Sequence, residues 1–130
     1  MDETTRLKYL SIALVVFGLI FLFGIFTMMT IWPAGWGWEP RQAEYEQMIV
    51  GVYAVLGIFL LRASRDPLRH LSLIWFTAWS SGVHAAIMLV QALRDPAEKA
   101  NLIGDIPALF LVAIVLMVLT PRSSSVGSYT

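Results

Sequence analysis

Four stretches of this chain, residues 10–31, 43–61, 71–93 and 102–120, are dominated by apolar side chains. Their length decides what they can be. A helix rises about 1.5 Å per residue, so roughly twenty residues carry it across the ~30 Å hydrocarbon core of a bilayer. A membrane barrel would need shorter strands of alternating polarity, and these runs do not alternate. Only 14% of the 130 residues are charged and 58% are hydrophobic, against about 25% charged in an ordinary globular domain. The sequence predicts an all-α polytopic membrane protein, four transmembrane helices in an antiparallel bundle. They form a single domain over residues 1–122, with a small polar tail, 123–130, expected to be disordered.

Several function classes drop out. With no cysteine, disulfide, thiolate-metal and thiol-redox chemistry are excluded. The formal net charge is zero and no basic block occurs, so no nucleic-acid partner is expected. No nucleophile motif, glycine-rich phosphate loop or zinc-protease motif is present. Methionines 28, 29, 48, 88 and 117 are scattered over the segments, as packing residues are, rather than clustered as a copper relay. His70 and His84 are separated by about 21 Å along one helix, too far to share an ion or a haem. No cofactor or metal is expected. The expected partners are membrane lipid, a lipophilic ligand or another membrane protein, and a second copy of the chain.

Arg6 and Lys8 precede the first run and imitate a signal peptide, but the run outlasts a signal h-region and no A-x-A site follows it. A retained helix is expected. Its polar residues are Ser11, Thr27 and Thr30, and none ionises. The following loop, residues 32–40, sets Trp32, Trp36 and Trp38 among glycines and prolines. It reads as an aromatic belt at headgroup depth or as a lid whose rings cover a ligand pocket.

The second segment has Pro40 placed for a first helical turn, and a full span must draw in Glu44 and Glu46. Asp66-Pro67 reads as a cap followed by a first turn, opening the third segment. Asp95 and Glu98 are spaced as a capping box for a short interfacial helix before the fourth. Near Asp105-Ile106-Pro107 two readings remain: Asp105 is the N-cap of a helix of about 15 residues, or the helix starts earlier and carries Asp105 into the membrane. Six of the nine Lys and Arg residues fall at the N-terminus, the middle loop and the C-terminus. The positive-inside rule then puts both termini in the cytoplasm of a cell whose inner membrane the protein spans.

The third segment is the most informative. His70, Thr77, His84 and Gln91 recur every seven positions and form a polar stripe along one helix face. On the other side Ala78, Gly82 and Ala86 make a small-residue ridge suited to close packing. Measured from the segment midpoints, Glu46 and Asp105 lie about 9 Å, His84 about 3 Å and Gln91 about 14 Å toward the outside. Ionisable groups inside a membrane are candidates for function by default. The plainer reading of His84 is a neutral ring bonded to Ser80, Ser81, Tyr53 or a carbonyl, gluing helices together.

The four-span layout, the Trp-rich first loop and the Trp75-x-x-x-Trp79-Ser80-Ser81-Gly82-Val83-His84 run resemble a group of small bacterial four-helix membrane proteins of unknown function. That resemblance implies no activity. Small multidrug exporters are similar in size but place an essential glutamate in the first span, which has no ionisable residue here. Sterol-isomerase-like membrane proteins combine carboxylates with aromatic rings, and Glu46, Asp105, Trp75 and Trp79 are similar in kind without matching a motif. The expectation is a binding protein for an amphiphile or a partner helix, with an outward-facing polar pocket lined by Glu46, Trp79, His84, Gln91 and Asp105. An enzyme acting on a membrane-dissolved substrate through His84 or a carboxylate is the alternative, and a small transporter is the third.

Overall fold

The computed structural model of the protein describes residues 2–36 and 43–121, and all regular structure among them is helical. The first segment is one apolar rod of 29 residues, Glu3–Ile31. It is built from α1 (Glu3–Leu19), a π-helical turn (Ile20–Gly24) and α2 (Ile25–Ile31). It begins two turns before the apolar run because Asp2 caps it, accepting the Thr5 N–H at 2.7 Å. Arg6 and Lys8 therefore ride on the helix. The rod stops at Trp32, ahead of Pro33, whose ring disfavours helix at the preceding residue. Pro33 opens a single turn, α3 (Pro33–Trp36).

After the undescribed residues 37–42, which include Trp38 and the expected first-turn Pro40, α4 (Ala43–Ala63) runs 21 residues with Glu44 and Glu46 in its first turn. A 3-10 turn (Pro67–His70) leads into α5 (Leu71–Arg94). Asp66 occupies the cap position but its side chain caps no backbone N–H; its carboxylate reaches Arg69 at 3.6 Å instead. The short helix expected before the fourth span is a 3-10 stretch (Pro96–Leu102), followed by α6 (Asp105–Leu119). The N-cap of α6 is Gly104, one residue before the expected Asp105. A Cβ at position 104 would run into the Gly35 carbonyl, so the cap residue has no room for a side chain. The expected tail, 123–130, lies outside the described residues.

Four helical segments, Glu3–Ile31, Glu44–Ala63, Pro67–Arg94 and Glu98–Leu119, are long and apolar enough to cross a membrane. Large apolar side chains such as Phe23, Phe26, Val52, Phe76, Val83 and Ile114 point outward from them, a surface that suits lipid or an apolar partner better than water. The shared core is assembled from Leu10, Leu14, Phe17, Phe21 and Ile25 of the first segment, Leu60 and Ala63 of α4, Ile74 and Ala78 of α5, and Val112 and Leu116 of α6.

Two devices hold this arrangement. Where α1 crosses α4 the backbones touch: a Cβ on Gly57 would lie 2.5 Å from the Gly18 carbonyl oxygen, and one on Gly18 would lie 2.9 Å from the Gly57 carbonyl oxygen. Close approach of this kind replaces the hydrophobic effect as the source of helix association in lipid. At the other end of the rod Arg6 reaches the last carbonyls of α6, donating to Val118 at 2.9 Å, Leu119 at 3.0 Å and Thr120 at 3.2 Å. Those carbonyls have no intrahelical donor, and a guanidinium fork supplies one with the charge that a helix C-terminus favours. Trp75 of α5 adds a bond to the Pro121 carbonyl at 3.4 Å.

The third segment departs from the sequence reading in its rotation. α5 buries Leu71, Ile74, Thr77, Ala78, Ser81, Ala85 and Ala92, mainly against α6. Gly82 keeps ordinary van der Waals room, 3.6 Å from the Ala113 Cβ, and Ala86 is exposed. The His70–Thr77–His84–Gln91 stripe drifts from buried Thr77 through half-buried His84 to exposed Gln91. A straight helix turns about 20° away from a seven-residue repeat at each step, so a stripe with that period cannot keep one neighbour. α5 meets α4 only sparsely, and the first segment is what lies against both α4 and α6.

Candidate functional site

Across the sparse α4–α5 contact the structure sets one polar bridge. The Tyr53 hydroxyl of α4 and Nδ1 of His84 of α5 are 2.6 Å apart, with the two rings nearly parallel at 18° and their centroids 6.0 Å apart. Phe21 meets the Tyr53 ring edge-on, with centroids 5.1 Å apart. Phe21 belongs to the π-helical turn, where one extra residue per turn shifts the helix face, an irregularity often associated with function. Tyr53 and Phe21 are thus an aromatic column on which the imidazole stands. Both groups are partly buried. Of the partners open to His84 from the sequence, the structure selects Tyr53. Thr77 and Ser80 turn to their own helix, donating to the Leu73 and Thr77 carbonyls at 2.9 Å and 3.3 Å.

The five residues expected to line one pocket are placed as follows. His84 belongs to the Tyr53 bridge. Trp79, 62% exposed, and Gln91 face outward from α5. Glu46 lines a groove between the first segment and the start of α4, with a cavity volume of about 580 Å³. Its walls are Phe26, Met29, Thr30, Pro33, Gln47 and Val50. The Thr30 hydroxyl is taken up by the Phe26 carbonyl at 2.9 Å, which leaves an apolar trough with polar groups gathered at its α4 side.

Asp105 stands apart from the groove, in the first turn of α6. It is 7% exposed at the start of α6, with its carboxylate against the backbone N–H groups of Asp105 itself and Ile106, where the helix dipole favours an anion. Its Oδ1 meets no protein donor. Fully buried beside it in sequence are Glu98 and Asn101, joined by a bond from Asn101 Nδ2 to Glu98 Oε2 at 2.9 Å. Asp105 is within electrostatic reach of both Glu98 and the Tyr53 hydroxyl. Over this cluster α3 packs on the 3-10 stretch, and the Trp36 indole nitrogen there is buried without an acceptor.

Glu98, Asn101 and Trp36 were not singled out as site residues from the sequence. Glu98 reads from the sequence as half of a capping box for the short interfacial helix, and the one signal for Asn101 is a second polar side chain at i,i+3 from it, just ahead of Asp105. Trp36 was legible as a possible lid but not as a buried donor. Among the described residues Glu46, His84 and Asp105 are not gathered into a group that could share a metal ion.

The chain matches, over residues 4–128, a family described as of unknown function, DUF6632. No curated protein and no solved structure matches it.

Proposed function

This chain belongs to DUF6632, a family of unknown function, and within it we propose a multi-pass plasma-membrane protein that binds a single-chain amphiphile. The observation that carries the reading is the groove of about 580 Å³ walled by Phe26, Met29, Pro33 and Val50, with Glu46 and Gln47 on one side. Small-molecule sites fall in a range of about 300–1,000 Å³ and pair apolar walls with a few polar groups. A hydrocarbon chain suits the trough between the first segment and α4, and a polar head suits its Glu46 rim. Six of nine Lys and Arg residues on one set of loops support cytoplasmic termini, and hence an outward-facing groove.

The test is photolabelling of the reconstituted protein with a diazirine-bearing dodecyl probe, with labelled residues mapped by mass spectrometry. Saturable labelling centred on residues 26–33 and 46–50 is expected. Labelling spread around Phe76, Val83 and Ile114 in proportion to their exposure would mean that lipid contact alone is being read.

An enzyme acting on a membrane-dissolved substrate is the second reading, and the short Tyr53–His84 bond is what favours it. An imidazole oriented by a phenol can exchange a proton at its other nitrogen. Turnover of a lipid substrate that is lost in His84→Ala, with groove labelling retained, would favour this reading.

A further inference from the structure

At the end of the molecule where α3 meets the entry to α6, two buried polar atoms of opposite kind are left unsatisfied by protein: Trp36 Nε1, which can only donate, and Asp105 Oδ1, which accepts. They flank one contact. A Cβ on Gly104 would run into the Gly35 carbonyl, and Trp36 and Asp105 are the next residues on either side of it. Buried polar groups are as a rule hydrogen-bonded. A single hydroxyl answers both atoms, accepting from the indole N–H while donating to the carboxylate oxygen. An ammonium would answer Asp105 and oppose the indole N–H. A carboxylate or phosphate would answer the indole and be repelled by Asp105 and by Glu98, which lies within electrostatic reach of it.

Trp36 lies one helical turn beyond the groove wall. Pro33, a groove wall, is three residues before it in the same turn, so the two share a helix face within about 4.5 Å along the axis. We propose that Trp36 and Asp105 bind the hydroxyl of an uncharged alcohol or polyol head group, belonging to the amphiphile whose chain occupies the groove. The inference rests on the groove reading above and adds the chemical class of the head.

Competition against the dodecyl photoprobe tests it on the full chain in nanodiscs, with three competitors of equal chain length: 1-lauroylglycerol, methyl laurate and dodecyltrimethylammonium. The glycerol ester is expected to compete at about tenfold lower concentration than the methyl ester, the effect of one net hydrogen bond or slightly more. Trp36→Phe and Asp105→Ala should each bring that ratio close to one by weakening competition by the glycerol ester. If Asp105→Ala does not fold, the wild-type ratio and Trp36→Phe decide the matter. Equal competition by both esters, with labelling still in the groove, overturns the head-group assignment and leaves water between the two atoms. Preference for the cationic competitor overturns it in favour of charge recognition. Failure of the probe to label the groove at all removes the groove reading and this inference with it.

Discussion

Gly57→Ala isolates the contact that sets the helix crossing. The added Cβ would stand 2.5 Å from the Gly18 carbonyl oxygen and 2.8 Å from the Leu22 nitrogen, both backbone atoms that no rotamer change can move. Restoring an ordinary 3.4 Å contact requires the α1 and α4 axes to part by roughly 0.9 Å. A radial gap of 0.5–1 Å forfeits about a quarter to a half of each dispersion contact along the seam, and overpacking of this kind costs about 1–3 kcal/mol. Alanine returns about 1 kcal/mol through its better helix propensity, so a net loss of up to about 2 kcal/mol is expected, against a gain at sites where the Cβ has room. Gly82→Ala and Gly51→Ala are the internal controls. A Cβ at 82 sits 3.6 Å from the Ala113 Cβ, and one at 51 meets nothing within 4 Å, so both should be neutral or slightly stabilising. Reversible unfolding by dodecyl sulfate in mixed micelles, followed by circular dichroism, gives all three. If Gly57→Ala is as stable as the two controls, backbone contact does not hold α1 to α4 and the account of the crossing is wrong.

Arg6→Ala removes donors from three carbonyls at the end of α6 and should cost about 1–3 kcal/mol. Lysine should restore only part of this, because it lacks the planar fork, and faster amide exchange near residues 118–121 would localise the loss. Tyr53→Phe leaves His84 Nδ1 without its partner and should destabilise by about 1–2 kcal/mol. A Tyr53→Phe/His84→Phe double variant less destabilised than the sum of the singles would show the coupling, and strict additivity would refute it. The Thr5 N–H holds the exposed Asp2 carboxyl below its usual 3.8. Because the folded value is depressed, this cap is complete above the unfolded value and is lost as pH falls through the lower folded one. Protection of the first-turn amides, taken relative to the intrinsic exchange rate at each pH, should therefore fall at acid pH in the wild type. Asp2→Asn should show no such step.

The spans were legible because hydropathy and helix length are local properties. The short helix before the fourth span was legible for a similar reason, since Asp95 and Glu98 are spaced to cap a helix that opens at Pro96. His84 was singled out by its place in an apolar run, and Tyr53 stood among its possible partners. The convergence of Glu46, Trp79, His84, Gln91 and Asp105 was read from depth along the membrane normal alone. Depth says how far a residue sits from the midplane but not which way it points about the helix axis. Trp79 and His84 are five residues apart, about 140° around α5, so one faces outward while the other faces Tyr53.

What the chain determines by itself is the number of membrane-length helices, their approximate ends and the few ionisable residues that must be accommodated within them. These follow from runs of apolar residues and from prolines and caps acting within a turn or two. The tertiary structure decides which polar groups meet. The Gly18–Gly57 contact, the Arg6 clamp on α6 and the Gly35–Gly104 contact join residues 39, more than 110 and 69 positions apart in sequence. They fix the rotation of each helix about its own axis. That rotation has no local signature, since every helix here is apolar on most of its faces, and it alone sets Tyr53 against His84 and buries the Trp36 indole nitrogen and Asp105 on either side of one backbone contact.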